Sequence, residues 1–137
     1  MKIAGRLWKS RKSDFWLAEV AILDLATQAK TIEEIPDMVK DAIEGLVDAK
    51  KFKVEVQRRK NDIFIESNDP KLLTALILKR QRTRQRLTLE EVTANLGAKS
   101  INEYAQYERG KHLPSLEKLE NLLKAIDPKH TPVLSYA

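Results

Sequence analysis

No cysteine occurs in the 137 residues, and only two histidines, His112 and His130. That excludes a disulfide framework and any thiolate-based metal or redox site. The two histidines have neither a cysteine nor a close histidine as companion, so metal-ligand and general-base roles are weak. No metal and no cofactor is expected. Glycine numbers four, and neither a P-loop nor a GxGxxG spacing is present to cradle phosphate. No apolar run approaches the roughly 20 residues that a membrane span needs. The opening MKIAGRLWKSRKSDFW alternates in polarity and lacks the apolar core of a signal sequence. The expectation is a folded cytoplasmic chain without membrane contact.

Charge is plentiful but uneven. Residues 1–69 carry 13 Lys+Arg and 13 Asp+Glu, whereas residues 70–137 carry 12 and 7 and account for the whole net charge of +5. Lys79, Arg80, Arg82, Arg84 and Arg86 fall in or just after one predicted helix. Nucleic-acid phosphate is the natural counter-charge for such a run.

The stretch LTLEEVTANLGAKSINEYAQYERGKHLPSLEKLENLLKAI, residues 87–126, holds three closely spaced helix start-and-stop patterns. Thr88-Leu89-Glu90-Glu91 reads as a capping box whose helix turns Val92 and Leu96 inward and stops at Gly97. Ser100-Ile101-Asn102-Glu103 reads as a second box, with its helix stopping at Gly110. Pro114-Ser115 opens a third helix, carrying Leu116, Leu119, Leu122, Leu123 and Ile126 at helical spacing and ended by Asp127-Pro128. Two helices of about two turns joined by a tight glycine-containing turn cannot bury a core alone. With flanking helices they make a helix-turn-helix domain. On the middle helix Ile101, Tyr104, Ala105 and Glu108 face inward, leaving Asn102, Glu103 and Gln106 outside. An exposed amide face on a short capped helix suits base edges in a major groove. A merely solvated helix face is the competing reading.

LKRQRTRQRLTLEEV, then LG, then YERGKHLPSLEKL is similar to the lambda-repressor-like (XRE) DNA-binding family, from about residue 70 to 126. The resemblance implies an internal ion pair between Arg82 and Glu108. It also implies Ser100, Asn102, Glu103 and Gln106 as base-reading residues. Lys79, Arg80, Lys99, Lys111 and His112 are then the phosphate contacts. The sequence departs from the family pattern at several places. Leu89 stands where Gln is usual, Thr93 where Ala is usual, Gln81 where an apolar residue is usual, and Arg86 where Gly is usual. One extra residue lies between Gly97 and the ERG run.

The first half alternates differently. Residues 2–9 place Ile3, Gly5 and Leu7 on one face and Arg6 and Trp8 on the other, which predicts a strand. A polar turn at residues 10–14 leads to a second strand over residues 15–23. Residues 24–30 are irregular, with room for a brief third strand at 26–29. Thr31-Ile32-Glu33-Glu34 resembles a capping box. The amphipathic helix after it begins at Thr31, or nearer Ile35 with Pro36 at its first position, and ends at Lys50-Lys51. Residues 52–56 and 62–66 predict two more strands around a charged turn. The fold class is therefore α+β: a ββ(β)αββ domain at 1–69, an all-α helix-turn-helix domain at 70–129, and a tail at 130–137 with a possible short strand.

That order, with FWLAEVAILDLATQAKTIEE in its hairpin region and the XRE-type domain after it, resembles HicB. HicB is the antitoxin of bacterial HicA–HicB toxin–antitoxin pairs. The resemblance implies a partly degraded RNase H-like first domain that blocks a small mRNA-cleaving HicA toxin. It also implies a second domain that binds operator DNA and represses the operon, as a homodimer or higher even oligomer. An active RNase H-like nuclease would need a first-strand carboxylate, and residues 2–10 contain none, so no enzyme is expected. Asp14, Glu19 and Asp24 could instead offer carboxylates to a basic toxin. Of Trp8 and Trp16, one would be core and the other an interface anchor. The alternative is a stand-alone regulator whose first domain senses a ligand or dimerises.

Overall fold

The computed structural model describes residues 1–136 and divides into two compact units, residues 1–70 and residues 71 onward. The first is a five-stranded antiparallel sheet with one helix. Its strands are β1 (Ile3–Lys9), β2 (Trp16–Val20), β3 (Leu25–Ala29), β4 (Val54–Arg59) and β5 (Asp62–Ser67), in spatial order β3-β2-β1-β5-β4. Helix α1 (Ile35–Gly45) contacts β2, β3 and β4.

Alternation along the strands sorts the faces. Leu7 pairs with Ala18 and Gly5 with Ile63, so these residues share one face. Together with Val20, Val54, Ile65 and the α1 residues Ile35, Val39 and Ile43, they form the core of the unit, and Leu7 and Ala18 are almost fully buried. Each large aliphatic side chain buried there contributes about 1.5–3 kcal/mol. Gly5 has a steric reason to be glycine. An added Cβ would lie 2.6 Å from the carbonyl oxygen of Glu19 and 2.9 Å from Cγ1 of Ile63.

Several local expectations are corrected. The second strand stops at Val20, and a single 3-10 turn over Ala21–Leu23 follows, closed by Asp24 in the left-handed region at φ 48°. The chain reverses there, which lengthens the third strand to start at Leu25. Thr31 makes no side-chain cap; it precedes a 3-10 turn, Ile32–Glu34, and of the two expected starts α1 takes the later, at Ile35 with Pro36 in its first turn. The helix ends at Gly45, well before Lys50-Lys51. Leu46 N–H turns back to Ile43, and the Glu44 carboxylate accepts the backbone N–H of Val54 at 3.0 Å. That bond draws the chain toward β4 and holds the Glu44 carboxyl below its ordinary value. Arg58 and Arg59 belong to β4, so the β4–β5 turn is only Lys60-Asn61, with Lys60 at φ 56°.

The second unit is helical: α2 (Pro70–Arg84), α3 (Leu89–Asn95), α4 (Asn102–Glu108) and α5 (Leu116–Ile126). Leu78, Val92, Tyr104, Leu122 and Ile126 make its core, with Leu87, Leu89, Leu96, Tyr107, Leu119 and Leu123 packed around them. No single helix here has enough apolar surface to stand alone, and the four are held by this shared cluster. Residues 131–136 form no strand. No helix among the described residues is long and apolar enough to cross a membrane.

Candidate nucleic-acid interface

Helix α3 starts on a complete capping box. Thr88 Oγ1 accepts from Glu91 N at 3.1 Å, and Glu91 Oε1 accepts from Thr88 N at 3.2 Å. Gly97, at φ 69°, ends that helix, and Gly110, at φ 73°, follows α4. A Cβ at Gly110 would meet Leu72 Cδ2 at 2.8 Å, so this turn sits hard against α2. The turn after α2 is also left-handed: Arg86 has φ 57°. The family pattern places glycine there, and this chain accepts the strain with arginine.

The ERG turn is fastened from within. Arg82 Nε donates to both carboxylate oxygens of Glu108, at 3.1 and 2.9 Å, and a second guanidinium nitrogen lies 2.6 Å from Oε1. The third nitrogen donates to Leu87 O at 2.8 Å. Side-chain exposure is 18% for Arg82 and 8% for Glu108, so the pair is largely withdrawn from water. It raises the Arg82 pKa, chiefly through the bond to Glu108. The Tyr104 hydroxyl is buried beside them without a hydrogen-bond partner among the described residues. Burial first, then the neighbouring Glu108 carboxylate, pushes its pKa far above that of a free phenol.

Helix α4 turns Tyr104 and Ala105 inward and leaves Asn102 and Glu103 exposed, with Gln106 half-buried. Ser100 does not cap it. Ile101 is already helical, and Glu103 N–H bonds to the Ser100 carbonyl. The Glu103 carboxylate instead accepts from Lys99 N at 3.3 Å, tying the turn to the first turn of α4. Gln106 Nε2 donates to Glu103 O at 3.3 Å, and the backbone of Lys111 returns to Gln106 O at 3.0 Å. Lys99, Ser100, Asn102, Glu103 and Gln106 are therefore gathered on one short element, with Lys111 tied to its far end. His112 is exposed just beyond. Lys79 (exposed) and Arg80 (half-buried) lie on α2, where the Lys79 carbonyl accepts from Thr83 Oγ1.

The departures from the family pattern have local explanations. Leu89 is half-buried against the core, so apolar packing occupies the position of a polar contact. Thr93 is buried with its hydroxyl donating to Leu89 O at 2.7 Å, which satisfies it within its own helix.

One cluster has no counterpart among the sequence motifs. Asp127 Oδ2 accepts from Gln85 Nε2 at 3.0 Å and from His130 Nδ1 at 2.7 Å, and Oδ1 accepts from Lys129 N at 3.1 Å. Asn95 Nδ2 likewise reaches Ala125 O at 2.9 Å. These bonds close the end of α5 onto the turn after α2 and onto the last residue of α3. Their separations of 42 and 30 residues leave no local signal.

The five residues singled out in the first half do not form one surface. Trp8 pairs with Leu17, and Arg6 with Glu19, on the sheet face opposite Leu7 and Ala18. There Trp8 is 39% exposed, Glu19 lies 3.3 Å from Arg6, and the Arg6 guanidinium sits 5.5 Å from the Trp8 ring centre. Trp16 pairs with Lys9 on the other, core-side face and is removed from that surface. Asp14 lies in the exposed β1–β2 turn, and Asp24 ends the 3-10 turn. Among the described residues no three His, Asp or Glu side chains gather as a metal site.

The arrangement of α2–α5 is that of a DNA-binding helix-turn-helix domain of transcription regulators. The helix-turn-helix family model matches residues 78–133, which spans the end of α2 through α5. No curated protein matches the chain.

Proposed function

We propose that the protein is a HicB-type antitoxin and autorepressor. Its helical unit binds operator DNA as a twofold dimer, and its first unit occupies a small RNA-cleaving toxin. The DNA half rests on one observation: α4 presents Asn102, Glu103 and Gln106 on its outer side within a matched helix-turn-helix. Amides there pair with adenine edges, Lys79, Lys99 and Lys111 supply charge to adjacent phosphates, and His112 offers a ring N–H beside them. The toxin half is supported by the β-β-β-α-β-β order and by Trp8 and Glu19 on the sheet face away from the core.

The test is a gel-shift series on the chain's own upstream region, alone and with the product of the adjacent reading frame. Replacing Asn102 and Gln106 by Ala should cost roughly 1–3 kcal/mol at particular base pairs. Replacing Lys79 or Lys111 should weaken all sequences alike, and each phosphate left unpaired should lower the salt slope by about one. Absence of binding at low ionic strength, with and without the adjacent product, overturns the reading. For the toxin half, a short basic neighbour that co-purifies is the expected result.

A further inference from the structure

Resting on the reading of the helical unit as a twofold DNA binder, we propose that residues 131–136 form an arm that grips a second copy of this chain. The arm lies on that copy's Leu113 and Leu116 while the two α5 helices pair antiparallel.

The helical unit leaves apolar side chains uncovered at both ends of α5. Leu113 and Leu116 are 53% and 62% exposed at its start. Beyond its end, Val133 and Leu134 are 85% and 73% exposed, and Tyr136 is fully exposed in chain without secondary structure. Single exposed apolar residues are ordinary; here five fall in two groups, one at the start of α5 and one in the chain beyond its end.

The outward stripe of α5 says what covers it. Glu117, Glu120, Asn121 and Lys124 recur at i, i+3, i+4 and i+7, and all are exposed. Acid occupies the first half of the stripe and base the second, with Lys124 3.2 Å from Glu120 of its own helix. An antiparallel twofold between positions 120 and 121 sets each Glu117 against Lys124 of the other copy. A parallel pair would set like against like. The surface is therefore complementary to itself, as an isologous dimer requires.

Geometry then brings the apolar ends together. At about 100° per residue, Leu116 and Asp127 both fall about 80° to the same side of the stripe's middle. A twofold lying in the interface across the helices preserves that side. The start of α5 in one copy thus lies beside the point where the other copy's chain leaves its α5. The helix rises about 16 Å, and six extended residues reach about 20 Å, enough to pass both Leu116 and Leu113. The arm's departure is also fixed, because Asp127 holds Lys129 N and the His130 ring. A pair of helices this short falls below the about 800 Å2 per partner that a stable dimer buries, and the arm supplies the remaining area.

The absence of cysteine makes the test clean. Leu116→Cys with Leu134→Cys in the full chain should give a covalent dimer on mild oxidation; a bridge formed only within one chain overturns the proposal. Sedimentation of the full chain should show a dimer. Truncation after His130, or Leu113→Asp with Leu116→Asp, should weaken association at least a hundredfold while the 222 nm signal is kept. Glu117→Lys should weaken it tenfold, and adding Lys124→Glu should restore it. A truncated chain that dimerises as tightly as the whole, or a reversal without rescue, removes the arm but leaves the DNA reading standing. A dimer with these properties that fails every gel shift does the opposite.

Discussion

Replacing Glu108 by Ala removes the partner that satisfies two faces of the Arg82 guanidinium and leaves only its bond to Leu87 O. Losing one member of a buried ion pair costs about 3–5 kcal/mol, because the other charge stays desolvated. Arg82 keeps some access to water, at 18% exposure, so the loss should fall at the lower end, about 3 kcal/mol. Arg82→Ala should cost about as much, since it strands the more deeply buried carboxylate. Arg82→Met with Glu108→Leu should recover most of the loss, because no charge is left behind. Urea melts of the full chain, followed at 222 nm, are the assay. Trp8 and Trp16 both lie in the first unit, so tryptophan emission follows that unit separately. With a slope of about 1 kcal/mol per molar for so small a unit, the midpoint should drop by about 3 M. A drop for Glu108→Ala equivalent to less than about 0.5 kcal/mol, the range of ordinary surface changes, would refute the reasoning.

Arg86→Gly should raise the stability of the helical unit by about 0.5–1 kcal/mol in the same melts, since the native φ of 57° strains any residue with a Cβ. Gly5→Ala should destabilise the sheet by about 1–3 kcal/mol, read by tryptophan emission, because its Cβ has nowhere to go between Glu19 O and Ile63. Acid should act through Asp127. Burial favours its neutral form, but the bonds from His130 and the Lys129 N–H outweigh burial and leave its pKa below the ordinary 3.8. Its contribution is then complete above that value and lost as pH falls through the lower folded pKa. A stability profile should bend downward below about pH 4, and Asp127→Asn should remove that part of the bend.

The order of strands and helices was legible because a two-residue and a 3.6-residue alternation of apolar side chains need only local sequence. The same alternation could not sort Trp8 from Trp16. Their faces depend on the pairing register, which puts Trp8 against Leu17 and Trp16 against Lys9. Caps were legible only in part. Thr88 and Thr31 open the same T-x-E-E pattern, yet only Thr88 caps, because α1 starts at Ile35, four residues beyond Thr31. The end of α1 was not legible because the Glu44–Val54 bond joins residues ten apart across a loop. On α4 the outward amides followed from spacing. The capping-box pattern over Ser100–Glu103 also predicts that Glu103 reaches back, but its carboxylate takes Lys99 N in place of Ser100 N, and Ser100 does not cap.

Under the proposed base-reading role of α4, Glu103 has a double duty with an evolutionary corollary. Its carboxylate pins the turn at Lys99, so exchanging it for a better-matched side chain also loosens the element that aims its neighbours. Asn102 is exposed one position earlier and is not part of that tether. Descendants of this protein that drift toward new operators should therefore vary at 102 while 103 stays acidic.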